Sequence, residues 1–247
     1  MIIATLRWRI ALYLLMLPSL LILLPGRSAA QRTKDVTIGF VLQEGSGSLV
    51  CRNIEPLGCS DKDAVVSGKL LTEYFAIACV FNATPKDFDP EDYGISGVQF
   101  GIDYDGSSQS GVDILSWSTC ADGLDIPSDN WPSPKSGTTI TWIVDVDTGD
   151  GCQENVPGAA EDGVTAIIGY FSLMAYSTDR LTVIENRTLQ NPFLGVTTCP
   201  DPNTYEIPLE QAGSVGFSSD LSEKGNIPCV HHVGETTWGR IKSTYGH

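Results

Sequence analysis

The sequence is short of bases. Fifteen Lys and Arg stand against thirty Asp and Glu, a formal net charge of −15. Such a surface repels phosphate backbones and anionic lipid, which excludes nucleic acid and acidic membranes as partners. It suits solubility, cationic partners and calcium. Histidine is scarcer still: His231, His232 and His247, all near the C-terminus. There is no G-x-S-x-G nucleophile elbow and no C-x-x-C metal pair. Cys229 and His231 are close in sequence, whereas a catalytic Cys and His come from distant segments. His231 and His232 point in opposite directions on an extended chain, so they do not chelate together. Beyond the N-terminus no apolar run is long enough to span a bilayer. Internal repeats and low-complexity blocks are absent from the sequence.

The N-terminus itself is distinctive. Arg7 and Arg9 precede an apolar run from Ile10 to Leu24, interrupted by Pro18. Pro25-Gly26 and the small residues Ser28-Ala29-Ala30 follow. Charge, apolar core and small-x-small form an export signal, with cleavage expected after Ala30. The rival, an uncleaved anchor, calls for a run of about 20 apolar residues, and this one is shorter. The expected organisation is residues 1–30 as signal peptide, 31–235 as one β-sandwich domain and 236–247 as an amphipathic tail. The expected location is secreted, cell-surface or periplasmic, with membrane contact only through the leader. Its removal takes away three arginines and moves the charge from −15 to −18.

Seven cysteines in an exported chain point to an oxidising compartment, and the odd number leaves one unpaired. Cys79 lies in Tyr-Phe-Ala-Ile-Ala-Cys-Val-Phe, where Phe75, Ile77, Cys79 and Phe81 share a strand face. It is read as the buried free thiol. Cys51, Cys59, Cys120, Cys152, Cys199 and Cys229 are read as disulfide-bonded. Sequence does not fix connectivity; proximity alone favours Cys51–Cys59, Cys120–Cys152 and Cys199–Cys229.

Short alternating segments between Gly, Pro, Asp and Ser clusters predict an all-β, antiparallel sandwich of jelly-roll or immunoglobulin-like kind. Strands are expected over 36–42, 69–81, 97–104, 138–146, 164–176 and 180–184, with weaker ones at 205–209 and 214–217. Val98, Phe100, Ile102 and Tyr104 point inward, and Gln99, Gly101 and Asp103 outward. Ile140, Trp142, Val144 and Val146 point inward, and Thr139, Thr141 and Asp145 outward. Residues 164–176 are apolar on both faces, as in a central strand, with a kink expected at Gly169. Residues 60–74 compete as a helical turn. In the tail, Trp238, Ile241 and Tyr245 at i, i+3 and i+7 form one face of a short helix and a docking surface.

Gly94-Ile-Ser-Gly-Val-Gln-Phe-Gly-Ile-Asp-Tyr-Asp105 resembles a strand of cohesin-like sandwich modules of secreted bacterial proteins. Gly163-Val-Thr-Ala-Ile-Ile-Gly-Tyr-Phe-Ser-Leu-Met-Ala-Tyr-Ser177 is similar to the long strand near their end. The resemblance spans roughly residues 70–200, rests on pattern rather than an invariant motif, and implies a sandwich. The cysteines, the N-terminal strand region and the tail depart from it. It carries over no dockerin partner and no binding residues. The tail Thr-Trp-Gly-Arg-Ile-Lys-Ser-Thr-Tyr is also similar to the ends of secreted bacterial proteins.

Three functional readings follow. The first is a non-enzymatic extracellular module that binds or scaffolds a protein. The second is a carbohydrate-binding module in which Trp131, with Trp117, stacks on a sugar ring; packing in the core is the competing role for both. The third is a glycan hydrolase with paired carboxylates, which leave no local motif. No cofactor is expected apart from calcium, with Asp103, Asp105, Asp145, Asp147 and Asp150 as candidate ligands. The run from Asp145 misses the calcium-loop register, with Gly149 at position five and Asp150 at six, so two loops would have to meet. Asn82-Ala-Thr84 and Asn186-Arg-Thr188 are glycosylation acceptors only in a pathway that modifies such sites.

Overall fold

A computed structural model describes residues 31–32, 36–54, 65–83, 94–107, 109–145, 150–154, 164–188, 192–199 and 202–228. The chain divides into residues 1–30 and 31–247, and the fold below belongs to the second unit. Its strands are β1 (Gln31–Arg32), β2 (Thr37–Glu44), β3 (Ser67–Gly68), β4 (Glu73–Phe81), β5 (Gly94–Asp103), β6 (Val112–Thr119) and β7 (Asp125–Pro127). β8 (Ser136–Thr141), β9 (Val164–Ala175), β10 (Asp179–Ile184), β11 (Gly195–Cys199), β12 (Thr204–Glu206) and β13 (Ser214–Phe217) complete them. Among the described residues the only helical turns are two of 3-10 type, Cys51–Asn53 and Leu209–Gln211. The helical alternative for 60–74 gives way over its described part to β3 and the start of β4, with Leu71 in a left-handed turn between them. The expected helix over 236–247 lies outside the described residues.

Two sheets face each other. The smaller has the order β2-β4-β9-β6 and is antiparallel throughout. In the larger, nine-stranded sheet, β5 is central: β8 and then β7 extend one side, while β10 and β11 share the other edge of β5 in succession. β13 and β3 lie beyond β10, and β12 and β1 beyond β11. The β1–β12 and β3–β13 pairings are parallel, so the larger sheet is mixed rather than purely antiparallel.

The alternation explains the core. Val98, Phe100 and Ile102 of β5, Ile140 of β8 and Leu181 and Val183 of β10 turn inward. They meet Ile38, Phe40, Ala76, Val80, Phe171 and Leu173 of the smaller sheet. Phe171 lies edge-on to Phe40 with ring centroids 5.9 Å apart. The register of β9 against β4 slips between Ala78 and Cys79, next to Gly169, where the sequence predicts a kink.

One side of the sandwich is closed by aromatic packing. The turn before β8 inserts Trp131 among Phe100, Trp117 and Phe171, with centroid separations of 5.6, 5.5 and 5.6 Å. Trp117 Nε1 donates to Asp125 Oδ2 at 2.9 Å, and Asp125 Oδ1 accepts from Thr138 Oγ1 at 2.6 Å. The Asp125 carboxylate of β7 therefore ties β6 of one sheet to β8 of the other. Charge-assisted bonds of this kind are shorter and stronger than neutral ones.

Two disulfides join segments far apart in sequence. Cys51 pairs with Cys120, and Cys152 with Cys199, across separations of 69 and 47 residues. The proximity pairings Cys51–Cys59, Cys120–Cys152 and Cys199–Cys229 are therefore corrected. A sandwich brings the ends of non-adjacent strands together, and Cα distance rather than sequence distance decides which thiols can bond. Cys59 and Cys229 lie outside the described residues. Cys79 is a free, buried thiol.

Candidate functional site

The outer faces of the two sheets are built differently. On the smaller sheet Val41, Phe75, Ile77, Cys79, Phe81 and Tyr170 point away from the main core yet are buried. A strap running from Gly45 to Ile54 covers them with Leu49, Cys51 and Ile54, and Ile227 adds a further side chain. The Cys51–Cys120 disulfide joins this strap to the residue following β6.

The outer face of the nine-stranded sheet has no such cover among the described residues. Its register sets out rows of side chains. Ile126, Thr139, Gln99, Gly195 and Glu206 are successive neighbours across β7, β8, β5, β11 and β12. The next row is Thr141, Gly97, Thr197 and Thr204. Leu124 sits beside Thr141, whose N–H donates to the Leu124 carbonyl at 2.8 Å. Glycine is required where the face is tight: a Cβ on Gly195 would stand 2.5 Å from the Phe193 ring, and one on Gly137 2.5 Å from the Asn186 amide.

These rows form a groove of about 390 Å³ floored by Gly97 and Gly195 and walled by Gln99, Thr139, Thr141, Thr197 and Phe193. None of its lining residues is charged. Gln99 Oε1 accepts from Thr139 Oγ1 at 3.4 Å, while its buried Nε2 has no hydrogen-bond partner among the described residues. At the groove margin Leu124, Ile126 and Ile143 are 64%, 57% and 66% exposed. Three adjacent large aliphatics left in water on one strand margin form an apolar patch rather than the scattered exposure normal to any surface.

At the other end of the same face is a polar cleft of about 600 Å³, lined by Asp103, Asp105, Lys135, Asp179, Arg180 and Thr182, among others. Its acids serve the backbone. Asp179 Oδ2 accepts from the N–H groups of Asp105 at 3.0 Å and Val112 at 2.8 Å. Hydrogen bonds from the Ser107 side chain and backbone hold the Asp105 carboxyl below its ordinary range. Tyr104 donates to the Pro132 carbonyl at 2.9 Å; burial first, then the charges of Asp113 and Asp179, push its hydroxyl up to about 12. Arg180 is ion-paired with Glu223.

The structure places the sequence candidates as follows. Trp117 and Trp131 come together, both half-buried between the sheets rather than standing on a surface platform. Asp103 and Asp105 share the polar cleft, whereas Asp145 and Asp150 lie on the loop beyond the opposite end of the β5–β8 pair, with the Asp145 N–H donating to the Asp150 carbonyl at 2.8 Å. No three His, Cys, Asp or Glu converge on a cation-sized site among the described residues. Asn82 and Asn186 are both buried, and Asn186 Oδ1 accepts from the Thr188 N–H and hydroxyl. Asp147, His231, His232, Trp238, Ile241, Tyr245 and His247 lie outside the described residues. Sequence reasoning had Gln99, Thr139 and Thr141 on an outer face but missed Phe193, Leu124, Ile126 and Ile143. Phe193 precedes a short strand and carries no alternation signal; Ile126 belongs to a three-residue strand, Leu124 precedes it and Ile143 follows β8.

No family model matches the chain, and no curated protein matches it. Two solved structures are similar in fold. One is a cohesin module from the Clostridium perfringens ATCC13124 family 33 glycoside hydrolase, with TM-score 0.39 and 8% identity over 74% of this chain and 96% of that one. The other is a type II cohesin domain from the cellulosome of Acetivibrio cellulolyticus, with TM-score 0.42 and 10% identity over 76% and 98%.

Proposed function

We propose that this protein is an exported, non-enzymatic binding module that holds another protein against the outer face of its nine-stranded sheet. The observation that carries the reading is the continuity of that face. An uncharged groove, an unspent amide donor at its centre and a margin of exposed Leu124, Ile126 and Ile143 lie side by side on one surface. Interfaces between proteins combine an apolar, water-excluding centre with a polar rim, and this face has both. The polar cleft around Asp103, Lys135 and Arg180 supplies rim on one side. A chain carrying thirty acids and fifteen bases favours a partner with a basic contact surface, which raises the association rate. Two disulfides fit export into an oxidising compartment, and the leader over residues 1–30, cut after Ala30, is the proposed route there.

The test compares retention on the intact face and on an altered one. The chain from Gln31 to His247 is immobilised, and extracellular and envelope protein from the source cells is passed over it. Ile126→Asp with Ile143→Asp is expected to abolish specific retention while leaving the circular dichroism spectrum unchanged. Retention of the same protein by this double variant at wild-type level removes the face from the reading. Retention of a glycan in place of any protein moves the sugar-binding reading forward.

A further inference from the structure

Among the described residues the strap over the smaller sheet is held in few places. Its near end is fixed where the Gly45 N–H donates to the Glu73 carbonyl at 3.1 Å. Its 3-10 turn, Cys51–Asn53, bonds to itself, with the N–H groups of Asn53 and Ile54 reaching the carbonyls of Val50 and Cys51. It contributes no strand to either sheet. Its other attachments among the described residues are the packing of Leu49 and Ile54 and the Cys51–Cys120 bond.

Beneath it lies a nucleophile that the binding face does not use. Cys79 is free and 3% exposed. Across the sheet it sits in one row with Gly39 and Ile167. The Cys120 N–H donates to the carbonyl of Ile168, the neighbouring residue of β9, at 2.8 Å. The disulfide therefore fastens the strap at the level of the thiol. On the other side Ile227 stands 3.6 Å from where a Gly39 Cβ would be, so the cover continues over the same row.

The second disulfide is anchored otherwise. Cys152 adjoins Gln153, which exchanges two backbone hydrogen bonds with Ile95, at 2.8 and 3.0 Å. Cys199 is paired within β11 against Gly94. Both ends stay in place without the sulfur bridge.

We propose that the Cys51–Cys120 disulfide is a redox latch, whose reduction lifts the strap and opens Cys79 and the apolar face around it to solvent. The reductant is an external dithiol. One of its thiolates attacks a latch sulfur and breaks the S–S bond, and its second thiol displaces the mixed disulfide. Cys51 and Cys120 end as thiols, the dithiol ends as a disulfide, and two electrons and two protons have moved to the latch. With the strap down, burial pushes the Cys79 thiol up to about 12, which keeps it protonated and unreactive at neutral pH. With the strap lifted, the thiol titrates in water and reacts.

Alkylation resolved by peptide mass spectrometry tests this on the Gln31–His247 chain with iodoacetamide as probe. Reaction joins carbon to the Cys79 sulfur, releases iodide and gives the thiol proton to buffer. Mild treatment with dithiothreitol is expected to speed Cys79 alkylation by at least about tenfold, since protection by local structure is lost with the opening. The Cys51→Ser, Cys120→Ser variant is expected to react at the fast rate without reductant, and the Cys152→Ser, Cys199→Ser variant to stay slow. Equal Cys79 rates with the latch closed and opened overturn the proposal. Should the latch variant lose amide protection in β5 and β9 as well, Leu49→Ser with the latch intact decides. A several-fold rise there with β5 and β9 protected supports the strap as the cover, and an unchanged rate overturns it.

Discussion

Phe75, Ile77 and Tyr170 on one outer face, and Gln99, Thr139 and Thr197 on the other, show how one sandwich makes two different surfaces. β4 and β9 are apolar on both sides, so the smaller sheet needs a second layer, and the strap with Leu49 and Ile54 supplies it. β5 alternates apolar and polar residues from Val98 on, and β8 turns Thr139 and Thr141 outward, so the larger sheet needs no second layer. Burial without a layer opposite would leave large apolar side chains in water, at a cost of about 1.5–3 kcal/mol for each. The lesson is that the covered face is structural and the open face is free for contacts. Leu124, Ile126 and Ile143 break the rule, being apolar and uncovered, and this is why the proposed binding edge is drawn there.

The largest expected effect tests the covered face. Phe75 is buried under the strap and lies edge-on to Tyr170 at 5.5 Å. Phe75→Ala removes that contact and leaves a cavity, so it is expected to lower stability by about 3–5 kcal/mol. Denaturant titration measures it, and a loss below 1 kcal/mol would mean that the strap does not form a second core. Next comes the latch. Serine at both Cys51 and Cys120 is expected to cost about 2–4 kcal/mol, because a loop closed across a sequence separation of 69 no longer restrains the unfolded chain. The same measurement reads it.

The open face is expected to respond in the opposite manner. Ile126→Asp with Ile143→Asp changes two exposed side chains, so stability shifts by less than about 0.5 kcal/mol for each. Partner affinity, measured by calorimetry once the partner is in hand, falls by at least about a hundredfold, since hot spots of this kind are worth 2 kcal/mol or more. A variant that loses stability and keeps affinity would reverse the assignment of the two faces.

Much of this contrast is legible in the residues, and the part that is not has physical causes. Val98, Phe100 and Ile102 alternate with Gln99, Gly101 and Asp103, and β5 follows that pattern from Val98 to Asp103; nearer its start a register shift brings Ile95 into the same core. β9 reads as a central strand because both of its faces are buried. β6 escapes notice because a register shift between Ile114 and Ser116 breaks its alternation. The groove escapes for another reason. Gly97, Thr139 and Phe193 come from three elements, and only the register that sets Gly97 against Thr141 and Thr197 makes them neighbours. Disulfide connectivity fails likewise, since only the packing of the strap on the smaller sheet brings Cys51 to Cys120. Trp131 shows the limit of composition: a Trp between polar residues and Pro leaves display and core packing both open, and only the fold shows Phe100 and Phe171 enclosing it from both sheets.

The last test is a matter of pH, and it sharpens the contrast because one titrating group lies under the strap and another beside the open face. The unfolded Cys79 thiol ionises around 9.0, while burial pushes it up to about 12 in the folded protein. Tyr104 moves from 10.0 to about 12, through burial and then the nearby Asp113 and Asp179 charges. Both folded values lie above the unfolded ones. Above pH 9 the unfolded chain therefore holds fewer protons than the folded one, and stability falls as pH rises. The contribution of each group is complete below its unfolded value and is lost by about pH 12. Cys79→Ala is expected to flatten the decline that starts near pH 9, and Tyr104→Phe the part that starts near pH 10. Urea titrations from pH 8 to 11 on both variants separate the two. If the latch holds the strap down, the Cys51→Ser, Cys120→Ser variant flattens the Cys79 portion alone, because an uncovered thiol ionises alike in the folded and unfolded chain. The Tyr104 portion, at the far end of the other sheet, stays as it is.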